Sequence, residues 1–146
     1  MNNELNKKIV VRSRGIIIHD GNLLVVKHSV NTDFYALPGG HLEWGEKVQD
    51  SIKREITEEL GVKPQIGRLL YVNNFIDTDQ TQSVEFFFEI VNSADYLDVE
   101  NLGGTHKHEI VEICWIKKND TRKVLPSKIQ KDLNDGTILS DIVRFL

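Results

Sequence analysis

Apolar and β-branched residues dominate Ile9 to His19 and again Leu23 to His28, and Asp20-Gly21-Asn22 separates the two runs. This pattern predicts two strands joined by a hairpin turn. A loop through Asn31 to Asp33 leads to Phe34-Tyr35-Ala36-Leu37, and Pro38-Gly39-Gly40 then breaks the chain sharply. From Glu46 to Leu60 the period changes: Ile52, Ile56 and Leu60 recur at i, i+4 and i+8, which predicts a helix roughly 22 Å long with one apolar stripe. Gly61 suits the residue that ends a helix in a left-handed conformation, and Pro64 follows it. Gln65 to Ile76 and Val84 to Val91 read as a second pair of long strands, joined by the polar stretch 77–82. The segment from Asn92 to His108 has few apolar periodicities and two glycines, and reads as a loop arching over a site. Ile110 to Ile116 returns as a strand. Pro126 to Leu133 opens with proline at a first-turn position and predicts a second helix, and Thr137 to Leu146 is a third helical candidate. Strands with helices on both sides imply an α/β fold, a three-layer α/β/α sandwich on a mixed β-sheet.

Composition narrows the classes. A chain of 146 residues without repeats suits one domain over 1–146, large enough to bury roughly 70% of its unfolded surface. Cys114 is the only cysteine, so no disulfide forms within the chain, and its place in an apolar run predicts a buried strand thiol. The longest apolar runs are a few residues, and the first eight residues lack the apolar region of a signal peptide. The expectation is therefore a cytoplasmic protein with no membrane partner. A formal charge of −4 argues against a broad nucleic-acid surface, although a small basic pocket could still hold phosphates.

The informative chemistry lies in the predicted first helix. Glu55, Glu58 and Glu59 fall within five consecutive residues. At about 100° per residue, Glu58 lies at about −60° and Glu59 at about +40° from Glu55, so the three share an arc of roughly 100°. A helix does not favour this. Glu58 and Glu59 sit at the negative end of the macrodipole, where anions are disfavoured by about 0.3 to 1 kcal/mol each, and Glu55 and Glu59 repel at i, i+4. Hard oxygen ligands converging from one surface are what Mg²⁺ or Mn²⁺ selects, and such a cation turns the repulsion into coordination. The plain alternative is a solvated helix face.

The surrounding spacing decides between them. Gly40 is followed after five residues by Glu46 and after seven more by Arg54-Glu55-Ile56-Thr57-Glu58-Glu59-Leu60-Gly61-Val62. This resembles the signature of the Nudix hydrolase family at every specified position, and a chance match is on the order of one in ten million for a chain of this length. The resemblance implies the Nudix fold and carboxylates Glu55, Glu58 and Glu59 holding one or more Mg²⁺ ions, or Mn²⁺, with the Gly39 carbonyl as a frequent additional ligand. It implies that Arg54 orients and charge-balances these acids, that Glu46 and Gly61 are chiefly structural, and that Glu58 or Glu59 acts directly in catalysis. Family members often place a functional acid just before a strand carrying a tryptophan. Glu109 precedes Trp115 by six residues and is the candidate general base, with Glu112 the alternative and a solvated strand-edge charge the plain reading.

Other residues invite readings outside that signature. Arg12 and Arg14 point to one face of the first strand, where they could bind substrate phosphate or be surface charge. Phe34, Tyr35 and Phe75 could stack on a base or belong to the core; Phe75 is the one carried forward as substrate-binding. His28, His41, His106 and His108 lack the spacing of a zinc site. The resemblance implies a pyrophosphohydrolase acting on a nucleoside diphosphate linked to another moiety: a nucleoside triphosphate, ADP-ribose or another nucleotide sugar, or a dinucleoside polyphosphate. The products are a nucleoside monophosphate and the phosphorylated remainder. Two alternatives stand beside it: an RNA 5′-end pyrophosphohydrolase, which the acidic balance disfavours, and a non-catalytic Nudix-like nucleotide sensor, which would tend to lose the acids. Monomer and homodimer both remain open.

Overall fold

The computed structural model describes residues 6–78, 80–105 and 109–146. In chain order its elements are β1 (Lys8–Ile16), β2 (Ile18–His19), β3 (Asn22–Lys27), β4 (Phe34–Tyr35), β5 (Gly39–His41) and α1 (Val48–Leu60). There follow β6 (Ile66–Thr78), β7 (Thr81–Ile90), β8 (Glu112–Ile116), β9 (Lys123–Val124), α2 (Ser127–Asp135) and β10 (Arg144–Phe145). The Asp-Gly turn forms as expected: Asp20 and Gly21 take φ of 50° and 79°, and His19 pairs with Asn22. The first expected strand divides in two, because Ile17 carries the chain from one sheet to another.

A five-stranded sheet has the order β10-β6-β7-β1-β5, and a three-stranded sheet has the order β2-β3-β8. The larger sheet is mixed, since β1 runs parallel to β7 and antiparallel to β5. Residues of alternate parity feed two separate cores. Leu24, Val26, Phe88 and Ile90 meet Ile52, Ile56 and Leu60 of α1. Leu23, Val25, Tyr71 and Phe87 meet Ile129 and Leu133 of α2. The unbroken apolar run Leu23-Leu24-Val25-Val26 is thus a strand buried on both faces. Helices cover opposite sides, which makes the three-layer α/β/α sandwich on a mixed sheet. The fully buried stripe of α1 contributes about 1.5 to 3 kcal/mol per side chain, more than its crowded acids cost.

Several boundaries differ from the sequence expectation. Strand β6 runs to Thr78 and β7 starts at Thr81 rather than Val84, so most of the stretch 77–82 is paired strand and not connection. Helix α1 begins at Val48, not Glu46, because the Glu46 carboxylate accepts the Glu43 N–H at 2.8 Å and belongs to the preceding turn. The third helix is absent: Arg144 and Phe145 instead pair with Tyr71 and Val72 of β6. Ile138 is buried beside Ile129 and Leu133 while Ile142 and Phe145 are exposed, so the apolar positions do not dock as one helical face, and Arg144 ties the segment down by donating to the Thr137 carbonyl and lying 3.9 Å from the Tyr71 ring centre. Strand β8 starts at Glu112, not Ile110.

The expected arching loop contains 3-10 turns at Ser93–Tyr96 and Val99–Asn101. It then runs onto the end of α1. The Gly103 N–H donates to the Leu60 carbonyl at 2.9 Å and Gly104 to Glu59 at 3.3 Å, satisfying carbonyls that a helix terminus leaves without partners. The far end of that loop, with His106 and His108, lies outside the described residues. Cys114 is half-buried, and burial pushes its thiol upward. Among the described residues no helix is long and apolar enough to cross a membrane.

Strand β5 carries the constraint that sets the site. Gly39 has φ +148°, and a Cβ there would stand 2.0 Å from the Ser13 carbonyl oxygen of β1. Both the backbone conformation and the space require glycine. Gly39→Ala is expected to cost at least about 2 kcal/mol, read as a lower midpoint in chemical denaturation; an unchanged midpoint would contradict the packing described.

Candidate active site

The acids converge because α1 lies across β5. Glu55, Glu58 and Glu59 line one cleft of about 540 Å³ together with Gly39, Arg12, Arg14, Arg54 and Glu109. The catalytic and metal candidates, with Arg12 and Arg14, thus line one cleft, and Phe75 does not. Phe75 lines an adjoining cleft of about 520 Å³ with Phe34, Asn73 and Glu85, and the two clefts share Arg12, Arg14 and His28. Tyr35, by contrast, is core: it is buried and donates its hydroxyl to Glu112 at 2.6 Å. Glu112 is thereby engaged away from the acid cleft.

Arg54 is the organiser. Its Nε and Nη2 donate to the two oxygens of Glu46, each at 2.9 Å, in a bidentate fork. The same Nη2 donates to the His41 carbonyl at 3.0 Å, while Nη1 reaches Glu55 at 2.9 Å and Glu58 at 3.3 Å. Hydrogen bonding from Arg54 holds the Glu46 carboxyl below its ordinary range. Glu46 is thus a brace between the turn and the helix, the structural role the family resemblance implies.

Glu59 is the most costly charge. It is 4% exposed and accepts the Gly39 N–H at 3.2 Å. Burial pushes its carboxyl up to about 8, against the pull of Arg14 and the Gly39 N–H, with Glu55 and Glu109 adding repulsion. Burial also raises Glu55, with Arg54 opposing. Gly40 makes room for this acid, since a Cβ there would fall 2.4 Å from the Glu55 carboxyl carbon.

Two partners were not visible in the sequence. Arg14 donates to Glu85 at 3.0 Å and to the Leu37 carbonyl at 3.3 Å. Arg12 pairs with Asp77 at 3.1 Å and also donates to Ser83. Only the strand register, with Arg12 opposite Glu85 in β7 and Glu85 opposite Asn73 in β6, brings these groups together. His28 was set aside as a zinc ligand, yet it borders both clefts, with Nδ1 at 3.2 Å from the Glu109 carbonyl oxygen.

As the side chains stand, no three acidic, imidazole or thiol groups among the described residues enclose a common point, because Arg54 Nη1 draws on both Glu55 and Glu58. The donor set nonetheless fits a hard divalent cation. Three carboxylates and a backbone carbonyl are oxygen ligands of the type Mg²⁺ takes, and the buried Glu59 would exchange a proton for metal charge.

Comparison with known proteins bears on family and fold. The NUDIX domain model matches residues 10–135. An ADP-ribose pyrophosphatase of Methanocaldococcus jannaschii is 33% identical over 103 residues, covering 60% of this chain and 61% of that protein. Phosphatase NudJ of Escherichia coli K12 is 27% identical over 108 residues, 71% of this chain and 66% of that one. Among solved structures, a MutT NUDIX hydrolase from Burkholderia pseudomallei aligns with a TM-score of 0.67 at 23% identity, over 87% of this chain and 97% of that one. An ADP-ribose pyrophosphatase from Streptococcus suis aligns with a TM-score of 0.64 at 16% identity, over 94% and 98%. At these identities the structural likeness concerns the fold.

The raised Glu59 carboxyl has a signed consequence. A folded-state value of about 8 against an ordinary 4.5 means the fold holds the proton more tightly than the unfolded chain. The metal-free protein is expected to be most stable below about pH 4.5 as far as this group is concerned, and to lose that contribution as pH rises towards about 8. Thermal unfolding across this window should show the decline, and both Glu59→Gln and added Mg²⁺ should flatten it. Gly40→Ala should displace the Glu55 carboxylate and weaken Mg²⁺ binding about tenfold or more, by analogy with disturbed ligand support, as calorimetric titration would reveal.

Proposed function

Because the chain belongs to the NUDIX domain family, we propose that it is a Mg²⁺-dependent pyrophosphohydrolase, acting on a nucleoside diphosphate linked to another moiety. The observation that carries this reading is the single cleft in which Glu55, Glu58 and Glu59 face Arg12 and Arg14. Acids for a cation and guanidinium groups for phosphate oxygens line the same space. The likeness to an ADP-ribose pyrophosphatase at 33% identity supports ADP-ribose and related nucleotide sugars as the first compounds to test.

Each residue then has a role. Glu55, Glu58 and Glu59, with the Gly39 carbonyl, would hold Mg²⁺, or Mn²⁺ in its place. The ion when bound supplies charge neutralisation for the diphosphate and a more acidic water. Arg54 keeps Glu55 and Glu58 oriented from one side, and its fork to Glu46 fixes the guanidinium itself. Arg12 and Arg14 bind phosphate oxygens, with Asp77 and Glu85 holding their forks in place. Glu109 borders the cleft from the opposite loop and accepts a proton from the attacking water. Phe75 offers a ring face in the adjoining cleft for the base. Products are a nucleoside monophosphate and the phosphorylated remainder.

A hydrolysis screen of ADP-ribose, nucleoside triphosphates, other nucleotide sugars and dinucleoside polyphosphates, with Mg²⁺ or Mn²⁺ and product identification, tests the reading. Glu58→Gln is expected to lower turnover by about a hundredfold or more while the fold is kept. Wild-type turnover in that variant would remove Glu58 from the site, and absence of metal-dependent cleavage throughout would favour a nucleotide sensor or a substrate at an RNA end.

A further inference from the structure

We infer that His28 is a specificity residue that accepts a hydrogen bond from a ribose hydroxyl of the bound nucleotide, so that the site selects ribonucleotides over deoxyribonucleotides. This rests on the proposed function for the location of the diphosphate. The argument begins with the tautomer. His28 Nδ1 lies 3.2 Å from the Glu109 backbone oxygen. A carbonyl oxygen only accepts, so Nδ1 carries the proton, and in the neutral ring Nε2 is left with its lone pair.

Position supplies the second step. His28, Arg12 and Arg14 are the residues common to the acid cleft and to the adjoining cleft lined by Phe34 and Phe75. A nucleoside diphosphate is a linear arrangement of base, ribose and phosphates. With the diphosphate against the acids and the base against the aromatic side chains, the ribose falls at the junction between them. Arginine side chains only donate hydrogen bonds. Arg12 and Arg14 are also engaged with Asp77 and Glu85. Of the three junction residues, His28 alone offers an acceptor to a sugar O–H. His28 is exposed, so water can take the place of a missing hydroxyl, and the discrimination against the analogue lacking it is the few-fold worth of one hydrogen bond.

The test measures affinity for ADP, GDP and their 2′-deoxy and 3′-deoxy counterparts, and turnover of the corresponding nucleoside triphosphates, in the presence of Mg²⁺. Calorimetry gives Kd and product analysis gives kcat/KM, for the wild type, His28→Phe and His28→Gln. The wild type is expected to favour the ribonucleotide over one of the deoxy forms by roughly three- to tenfold. His28→Phe keeps a ring of similar size without the acceptor, and its preference should fall to near unity through weaker ribonucleotide binding. His28→Gln, whose amide oxygen can stand near the Nε2 position, should recover part of it. Equal loss for ribo and deoxy forms in His28→Phe, with the ratio unchanged, would mean that His28 merely props the Glu109 loop and would overturn the inference. So would a wild type without ribose preference. The expected binding ratios without hydrolysis of these compounds or of any in the wider nucleotide screen would uphold His28 and reject the hydrolase reading, whereas hydrolysis with ratios untouched by His28→Phe would do the reverse.

Discussion

The guanidinium of Arg54 is the contact on which the arrangement of the site depends. One planar fork reaches the turn before α1 through Glu46, the edge strand through the His41 carbonyl, and the acid arc through Glu55 and Glu58. Without a cation at this position three carboxylates on one helix face would repel one another and the negative helix end. A lysine could not substitute, because a single ammonium lacks the fixed fork that satisfies Glu46 with two bonds while leaving a third nitrogen for the acids. The turn, the strand and the helix are therefore registered to one another by one side chain.

That arrangement is tolerated because binding and packing use adjacent surfaces of α1. Ile52, Ile56 and Leu60 are completely buried against the sheet, and the hydrophobic gain of that stripe exceeds the electrostatic cost of the acids beside it. Glu59 lies at the boundary between the two surfaces. Its burial makes its charge expensive, and the same burial makes it a strong position for a cation, since charges attract more strongly where water is excluded. The loop from Ser93 onward contributes by giving Gly103 and Gly104 N–H groups to the end of the helix, so the segment that leads towards Glu109 is anchored to the element bearing the other acids.

The neighbouring cleft shows how a sheet assembles chemistry from distant segments. Arg12 and Arg14 come from β1, Glu85 from β7, Asn73 and Asp77 from β6, and His28 from the end of β3, yet all border one continuous space. Each arginine is held by a carboxylate, which limits its freedom and aims it at the cleft. The acid cleft and this one share those arginines, which puts a polar cleft of about 540 Å³ beside one lined in part by Phe34, Phe75 and Phe87.

The local elements were legible where the pattern was strong. The Asp-Gly hairpin, the i, i+4, i+8 stripe of α1, the glycine stop at Gly61 and the spacing from Gly40 to Val62 each express a short-range physical requirement, so the chain by itself determined the acid-bearing helix, the family signature and the layered α/β architecture. The third helix is missing although Ile138, Ile142 and Leu146 have helical spacing, because Ile138 alone is fully buried while Ile142 stays exposed, and Arg144 and Phe145 pair with β6 instead. What only the tertiary structure decided is everything that depends on strand register: the pairing of Arg14 with Glu85 and of Arg12 with Asp77, the placing of Phe75 in a second cleft, and His28 at the junction. Register is a long-range choice, made by which apolar faces bury against which helix, and side chains separated by 71 residues, as Arg14 and Glu85 are, leave no local trace of meeting.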